Sequence, residues 1–198
     1  FGAMLERAGA GRYFTQVALS LLGGFRGGPA KAAVLSSGLT GVVSGSSIAN
    51  IVTTGTFTIP LMKKVGYPPK KAAAIEVAAS TDGQLAPPIM GAAAFIIAEY
   101  VNVPYIEVIK AAAIPAFASN AALLWLTHVE ACKLGLKKVP RSELPRFPPT
   151  LASGLHYLVP LGFLIYQLVI VRRTPEAAAF TACWVTATPL GIPVEPEV

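Results

Sequence analysis

Charged side chains are scarce in this 198-residue sequence, where they make up 13% of the residues against 54% hydrophobic ones. Soluble globular domains carry about 25% charged residues, and a surface with half that supply is poorly solvated. The same numbers exclude an intrinsically disordered chain, because disorder depends on high charge and low hydrophobicity. The composition therefore predicts a membrane protein.

Cysteine is also rare, and Cys132 and Cys183 form neither a disulfide framework nor a spacing typical of metal ligands. The chain contains no Ser/His/Asp or Cys/His set at a useful spacing, and the glycine-rich stretch 23–28 lacks the Lys-Ser/Thr pair of a phosphate loop. We therefore expect neither an enzyme nor a bound cofactor. A rival hypothesis, an intramembrane enzyme that uses Asp82, requires a second acid or base at the same depth, and the sequence indicates none.

Basic residues outnumber acidic ones by 16 to 10, which gives a net charge of +6. They stand in short clusters between long uncharged runs, a pattern typical of the loops of a membrane protein and not of a nucleic-acid-binding surface. The sequence starts without Met, shows no signal peptide and ends in a proline-rich piece, 189–198. We therefore expect a fragment of a longer protein.

Long uncharged runs predict membrane segments, since a spanning helix needs about 20 apolar residues. Two of them predict spanning helices at about 106–129 and 151–171, separated by a basic cytoplasmic loop at 130–150. Another run is interrupted by prolines, so 174–198 is expected to be an incomplete further membrane segment.

The longest uncharged run, 32–62, has 31 residues, too many for one spanning helix and too few for two. Its centre, 44–50, is rich in Ser, Gly and Asn, which favour turns and helix caps. The two flanks have 12 residues each, or roughly 18 Å of helix, about half a bilayer. Lysines at both ends prefer the cytoplasm, so we predict a re-entrant helical hairpin over about 30–64.

A second interruption follows at 82–88, where Pro87 and Pro88 stand between two helical stretches. Consecutive prolines end a helix, since each lacks an N–H group and restricts the residue before it. We predict a spanning helix over about 70–104 that is broken in the middle. Secondary transporters hold substrates and coupling ions at such breaks, where irregular backbone is buried in protein or lines a cavity.

Both interruptions carry oxygen atoms, the ligands that a hard cation such as Na⁺ prefers. Residues 44–50 offer hydroxyls, an amide and free carbonyl groups, and Ser80, Thr81 and the carbonyl groups near Gly83 offer the same chemistry. The C-terminal ends of half-helices add a negative dipole end. The alternative is that these small residues only let helices pack closely.

Asp82 is the only acid that the pattern places near the middle of the membrane, where an acid is expected to be functional. The alternative is an N-cap that faces water. Glu76 is expected to pair with Lys71 at the cytoplasmic side. For Thr56 and Thr58 we expect hydrogen bonds to carbonyl groups of their own helix.

Two long stretches resemble one known family. GGFRGGPAKAAVLSSGLTGVVSGSSIANIVTTGTFTIPLMKKVGYPP and AAIEVAASTDGQLAPPIMGAAAFIIAEYVNVPY are similar to the large membrane subunit of TRAP transporters. Within that family the chain is most similar to the fused permeases that work with TAXI-type binding proteins. The resemblance is close over 23–105, continues to about 168 and fades beyond 174.

The resemblance implies an inverted-repeat fold with two re-entrant hairpins, of which residues 1–173 hold the first repeat, and an elevator-type motion. It implies Na⁺-driven uptake of an organic acid that a soluble periplasmic protein of TAXI type delivers. A small four-helix membrane subunit, separate or fused, and a place in the cytoplasmic membrane of a bacterium or archaeon are implied as well.

The resemblance also implies functional residues at matching positions. The expected Na⁺ ligands are Ser44, Gly45, Ser46, Asn50, Ser80, Thr81 and Gly83, and the expected substrate contacts are Ser47, Thr54, Asp82 and Pro87. Asp82 departs from the family, which usually has a small residue there. Two alternative functions stay open, an uncoupled channel or uniporter and a non-transporting scaffold subunit.

Overall fold

The computed structural model describes residues 2–87, 89–136, 138–140, 144–171 and 173–187. Over these residues the chain is mainly helical, and its strand-type pairing is limited to one isolated bridge between Arg26 and Lys138. The predicted all-α class is therefore confirmed for this part of the chain. Pro88 and residues 188–198 of the predicted segment 174–198 lie outside the described residues.

The described residues form ten helices. They are α1 (Gly2–Arg7), α2 (Ala10–Leu22), α3 (Gly28–Ser44), α4 (Ser47–Lys64), α5 (Pro69–Gly83), α6 (Ala92–Val101), α7 (Tyr105–Lys133), α8 (Phe147–Ser153), α9 (Leu155–Val169) and α10 (Pro175–Ala187).

Helices α3 and α4 form a hairpin whose connection is only Gly45 and Ser46, which we call the hairpin tip. Gly45 takes the left-handed conformation with φ 63°, which ends α3, and the Ser46 side chain accepts a hydrogen bond from the Ala49 N–H group, which starts α4. The predicted arms of 12 residues are therefore wrong: the arms have 17 and 18 residues, or roughly 26 Å each. Tertiary packing keeps the Ser- and Gly-rich flanks of the tip helical, despite their low intrinsic propensity.

Helix α5 ends at Gly83 and α6 begins at Ala92, with irregular backbone between them, and we call residues 84–91 the linker. Within the linker Met90 has a positive φ of 56°, and the Gly91 N–H group donates a 2.9 Å hydrogen bond to the Gln84 carbonyl oxygen. The break is therefore a folded turn that is closed by its own backbone bond.

Helix α7, with 29 residues, is long and apolar enough to cross a membrane, which no other single helix is in the described ranges. At roughly 43 Å it exceeds the hydrocarbon core of about 30 Å. Its outer face carries large exposed hydrophobic side chains, among them Ile114, Phe117 and Trp125. A face of this kind suits lipid or a further protein surface.

The helix predicted at 151–171 is present as α9 over most of its length, but it is bent near its start. Helices α8 and α9 meet at Gly154 with a bend of 63° and together are long enough for one membrane crossing. The ring of Tyr13 on α2 fills the place of the missing side chain, since a Cβ on Gly154 would lie 2.2 Å from Tyr13 Cδ2. The bend therefore depends on a contact with a helix far away in the sequence.

Helix α3 lies at the centre of the molecule, where it packs against α2, α4 and α5. Small residues make this possible: a Cβ on Gly41 would lie 2.6 Å from the Gly83 Cα atom, so the backbones of α3 and α5 touch. This contact fixes the end of α5 beside the end of α3. It positions the site described next.

Candidate ion and substrate site

The hairpin tip lies directly against the linker. A Cβ on Gly45 would lie 3.3 Å from the Met90 carbonyl oxygen, and a Cβ on Gly91 would lie 3.2 Å from the Gly45 carbonyl oxygen. The two interruptions that the sequence predicts, in the hairpin and in the broken helix, therefore meet in space. Because Gly45 and Gly91 have no side chains, the carbonyl groups of Gly45 and Met90 lie at the contact, next to the Gln84 side chain.

Four helix ends converge at this contact. The C-terminal ends of α3 and α5 are neighbours through Gly41 and Gly83. Gly45, which precedes the N-cap of α4, is a neighbour of Gly91, the N-cap of α6. C-terminal ends present free carbonyl groups and a partial negative charge, whereas N-terminal ends present free N–H groups and a partial positive charge. The contact between the hairpin tip and the linker therefore has a region that attracts a cation next to a region that attracts an anion.

The serines at the tip hydrogen-bond mainly to the local backbone. Ser44 Oγ donates to the Ser46 carbonyl oxygen at 3.1 Å and accepts from the Ser46 N–H group at 3.3 Å. The half-buried Glu6 carboxyl on α1 also hydrogen-bonds to Ser44. Sequence patterns gave no signal for Glu6, because its contact with the tip is tertiary.

Asn50 lies inside α4, one turn beyond the tip, and is fully buried. Its Nδ2 atom donates a 2.8 Å hydrogen bond to the Ser37 carbonyl oxygen on α3. Gly83 completes the group, since a Cβ there would lie 2.5 Å from the same Ser37 oxygen and 3.2 Å from Asn50 Nδ2. Asn50 and Gly83, both predicted ion ligands, are therefore brought together.

Glu76 on α5 is the unexpected residue of the site. Its side chain is fully buried, and its hydrogen-bond partners are hydroxyl groups of both hairpin arms and of α5. Ser37 Oγ donates to Glu76 Oε1 at 2.9 Å, Thr58 Oγ1 donates to Oε2 at 2.5 Å, and Thr54 also donates to Oε1. Ser80 Oγ completes the group at 3.4 Å from Oε1. We call these five residues the Glu76 cluster.

The predicted pair between Glu76 and Lys71 is therefore wrong, and Lys71 instead pairs with Glu130 on α7. Five residues along a helix correspond to a rotation of about 140° beyond full turns, so Glu76 and Lys71 lie on different faces of α5. Asp82, which is half-buried, is accordingly not the only acid in the interior of this region. The sequence did contain a pattern that indicates this cluster. Thr54 and Thr58 are four residues apart and so lie on one face of α4, and Glu76 and Ser80 likewise lie on one face of α5.

Thr58 hydrogen-bonds within the cluster and also within its own helix, where its Oγ1 atom lies 3.0 Å from the Thr54 carbonyl oxygen. The exposed Thr56 hydroxyl donates to the Thr53 carbonyl oxygen at 3.0 Å. The expected bonds to helix carbonyl groups are therefore present for both residues. The prediction omitted only the second partner of Thr58, the Glu76 carboxylate.

The other predicted residues are spread around the contact. Thr81 is exposed and donates to the Val77 carbonyl oxygen, so its side chain does not join the buried group. Asp82 stands in the last turn of α5, which excludes the N-cap alternative, and accepts a 2.6 Å hydrogen bond from Ser119 on α7. Ser47 begins α4 and Pro87 lies in the linker, both half-buried.

These features define a helical protein with an apolar outer face and two helix interruptions that meet. Over residues 1–192 the chain matches the family described as the DctM component of the tripartite ATP-independent periplasmic transporter. It therefore belongs to the DctM family, and the resemblance to the large membrane subunit of TRAP transporters is confirmed.

Three curated relatives illustrate the match. The chain is 29% identical to the uncharacterized protein y4mL of Sinorhizobium fredii over 191 residues, covering 96% of the chain and 45% of that protein. It is 29% identical to the C4-dicarboxylate TRAP transporter large permease protein DctM of Pseudomonas aeruginosa over 184 residues, which cover 92% of the chain and 43% of that protein. The protein of the same name from Vibrio cholerae is 29% identical over 136 residues, which cover 69% of the chain and 30% of that protein. The chain thus spans less than half the length of these relatives.

Proposed function

We propose that this chain is part of the membrane permease of a secondary transporter that imports organic acids together with Na⁺. Membership of the DctM family supports the transporter class, and two of the relatives are named as C4-dicarboxylate permeases. The observation that carries the proposal is the meeting of the hairpin tip with the linker, because broken helices in secondary transporters hold substrate and ions.

The hairpin is proposed to be re-entrant, with its tip near the middle of the membrane. At the open end of the hairpin, Lys31 lies 2.9 Å from His128, near the C-terminal end of α7. At the other end Asp82 bonds to Ser119, near the middle of α7. The two points of α7 are nine residues apart, or about 14 Å along the helix. Gly38 on α3 also faces the middle of α7, since a Cβ there would lie 3.6 Å from Asn120 Oδ1. The part of α3 before the tip thus lies beside the middle of a spanning helix, which supports a tip inside the membrane.

Na⁺ is proposed to bind where the C-terminal ends of α3 and α5 converge. The proposed ligands are oxygen atoms of the residues predicted from sequence: Ser44, Gly45, Ser46, Asn50, Ser80, Thr81 and Gly83. The partial negative charge of the two helix ends favours a cation there. A bound Na⁺ also offsets the charge of an anionic substrate, which couples the two solutes.

The substrate carboxylate is proposed to face the N-terminal ends of α4 and α6, whose free N–H groups attract anions. Ser47 is the first residue of α4, Pro87 lies in the linker that leads to α6, and Asp82 lies in the last turn of α5 with its carboxylate bonded to Ser119. Thr54, predicted with this group, is fully buried against Glu76. We therefore propose that Thr54 acts on the ion side of the site and not through substrate contact.

The complete transporter is proposed to work by alternating access in the cytoplasmic membrane of a bacterium or archaeon, as a multi-pass protein. A periplasmic binding protein, of TAXI type by sequence resemblance, delivers the organic acid. A small four-helix subunit, separate or fused, completes the membrane part, and residues 1–173 correspond to one repeat. The named relatives support the transporter as a whole and leave the TAXI branch as a prediction from sequence.

Uptake by the full-length protein in proteoliposomes tests the proposal. Replacing external Na⁺ by choline is expected to abolish substrate accumulation. Uptake that ignores Na⁺ and follows a proton gradient would refute the ion assignment. Accumulation against a concentration gradient separates the transporter from a channel or uniporter. If the chain were a non-transporting scaffold subunit, Ser46→Ala and Asn50→Ala would leave uptake unchanged. We expect both variants to lower uptake.

A further inference from the structure

We propose that the Glu76 carboxylate is the charged ligand of a buried Na⁺ site within the Glu76 cluster, which adjoins the proposed cation site at the hairpin tip and shares Ser80 with it. The proposal rests on the proposed function in its choice of Na⁺ as the cation. Seven residues of α5 separate Glu76 from Gly83, or about 10 Å. The cluster is thus a second place, between the two hairpin arms and α5.

Burial without a counter-charge is the first argument. Glu76 is fully buried, and within the described ranges each of its hydrogen-bond partners is a neutral hydroxyl group. The nearest lysine on its own helix, Lys71, pairs with Glu130. An ionised carboxylate removed from water is costly unless a positive charge accompanies it. A bound monovalent cation supplies that charge.

The hydroxyl hydrogens give the second argument. Thr54 Oγ1 has one hydrogen but lies 2.8 Å from the Asn50 carbonyl oxygen as well as beside Glu76 Oε1. Thr58 Oγ1 likewise lies between the Thr54 carbonyl oxygen and Glu76 Oε2. A cation at the carboxylate lets both hydrogens stay on helix carbonyl groups, while the oxygen lone pairs bind the cation.

The donor set is the third argument. Hydroxyl oxygens of Ser37, Thr54 and Thr58 lie within hydrogen-bond distance of the Glu76 carboxylate, so the cluster consists of oxygen donors. Oxygen-only sites suit hard cations. The cluster holds a single carboxylate, and the described residues contain no group of three His, Cys, Asp or Glu side chains. One negative charge matches one monovalent ion.

Na⁺-dependent thermal unfolding of the full-length protein in detergent is the direct test. Tm is measured over a Na⁺ series in which choline keeps the ionic strength constant. A ligand that binds only the folded state raises Tm with its concentration. In Glu76→Gln, which keeps the side-chain size, we expect the slope of Tm against the logarithm of Na⁺ concentration to fall, because one ion fewer binds. Glu107→Gln, on the exposed face of α7, is the control and should keep the wild-type slope.

A second pair of variants keeps the carboxylate. Thr58→Val removes one cluster oxygen without changing the side-chain shape much, and Thr56→Val makes the same exchange at an exposed position of the same helix. We expect Thr58→Val to raise the Na⁺ concentration for half-maximal stabilisation at least about tenfold, because one oxygen contact to a charged group is lost. Thr56→Val should match the wild type. This pair decides the matter if Glu76→Gln fails to fold.

The outcomes separate this inference from the proposed function. A wild type that gains stability from Na⁺, with Glu76→Gln and Thr58→Val following the same curve, would overturn the buried site and leave the tip site standing. A wild type that is indifferent to Na⁺ would overturn both. An infrared band of a protonated carboxylic acid at saturating Na⁺, present in the wild type and absent in Glu76→Gln, would show a neutral Glu76 and overturn the inference.

Discussion

The hairpin tip and the Glu76 cluster are built from the same kinds of residue but in opposite ways. At the tip, Ser46 is exposed, serine side chains bond to nearby backbone, and the contact with the linker is made by glycines. In the cluster, side chains of three helices converge on one buried carboxylate. The tip is thus held by backbone shape, and the cluster by side-chain hydrogen bonds.

This difference indicates that the hairpin tip is able to move relative to the linker, whereas the Glu76 cluster holds its helices together. A glycine contact between backbones loses little when it opens, because few side-chain bonds are broken. Opening the cluster would leave Glu76 and its hydroxyl partners without partners in the interior, which is costly for each group. We therefore expect α3, α4 and α5 to move as one block, while the tip and linker adjust to the bound solutes.

The largest effect is expected at Gly83, which lies between the two regions. In Gly83→Ala the new Cβ would lie 2.5 Å from the Ser37 carbonyl oxygen and 3.1 Å from the Gly41 Cα atom. Backbone atoms cannot give way cheaply, so we expect a loss of at least ~1–3 kcal/mol, as for overpacked cores, and loss of uptake. Tm of the purified protein and transport in proteoliposomes are the measurements.

Gly162→Ala on α9 is the matched control, because nothing lies within 4 Å of the Cβ position there. Its stability should stay the same or rise by up to about 1 kcal/mol, as expected for alanine in place of glycine in a helix. A Gly83→Ala protein as stable and active as Gly162→Ala would contradict the close packing of α5 on α3.

The second prediction compares one residue from each region. Asn50→Ala removes a buried hydrogen bond to the Ser37 carbonyl oxygen and should cost ~1–3 kcal/mol, because an acceptor is left unpaired. Ser46→Ala removes an exposed N-cap with a 3.4 Å bond to Ala49 and should cost only about 0.5–1 kcal/mol. Chemical unfolding of both variants gives the ranking. Equal losses would show that the tip is as rigid as the interior.

The helical class and the two interruptions were predictable because they depend on local chemistry. Gly45 and Ser46 end and start helices by their own conformational preferences, and Pro87 precedes a second proline that excludes helix. The lengths of the hairpin arms were not predictable from such rules. Packing of α3 against α2 and α5 keeps the residues around the tip helical, and local helix propensity contains no information about that packing.

Glu76 shows why part of the site escaped prediction. Its nearest basic neighbour in sequence, Lys71, lies on another face of α5, and its real partners are on the hairpin, as far as 39 residues away. The bend at Gly154 has the same cause, since Tyr13 on α2 sets it. Site residues that depend on one helix were therefore accessible from the sequence, whereas those that depend on a pair of helices were not.

The smallest effect is expected where the tip region is held to α7. Ser119→Ala removes the 2.6 Å hydrogen bond to the Asp82 carboxylate, and Asp82→Asn keeps a partner for Ser119. A single hydrogen bond of this kind is worth about 1 kcal/mol, somewhat more when one partner is charged. Because the bond joins the end of α5 to a helix outside the hairpin, its loss should leave the Na⁺ response of the Glu76 cluster unchanged. A double-mutant cycle on Tm isolates the coupling between the two residues, and a Ser119→Ala protein with a shifted Na⁺ curve would show that the two regions are not independent.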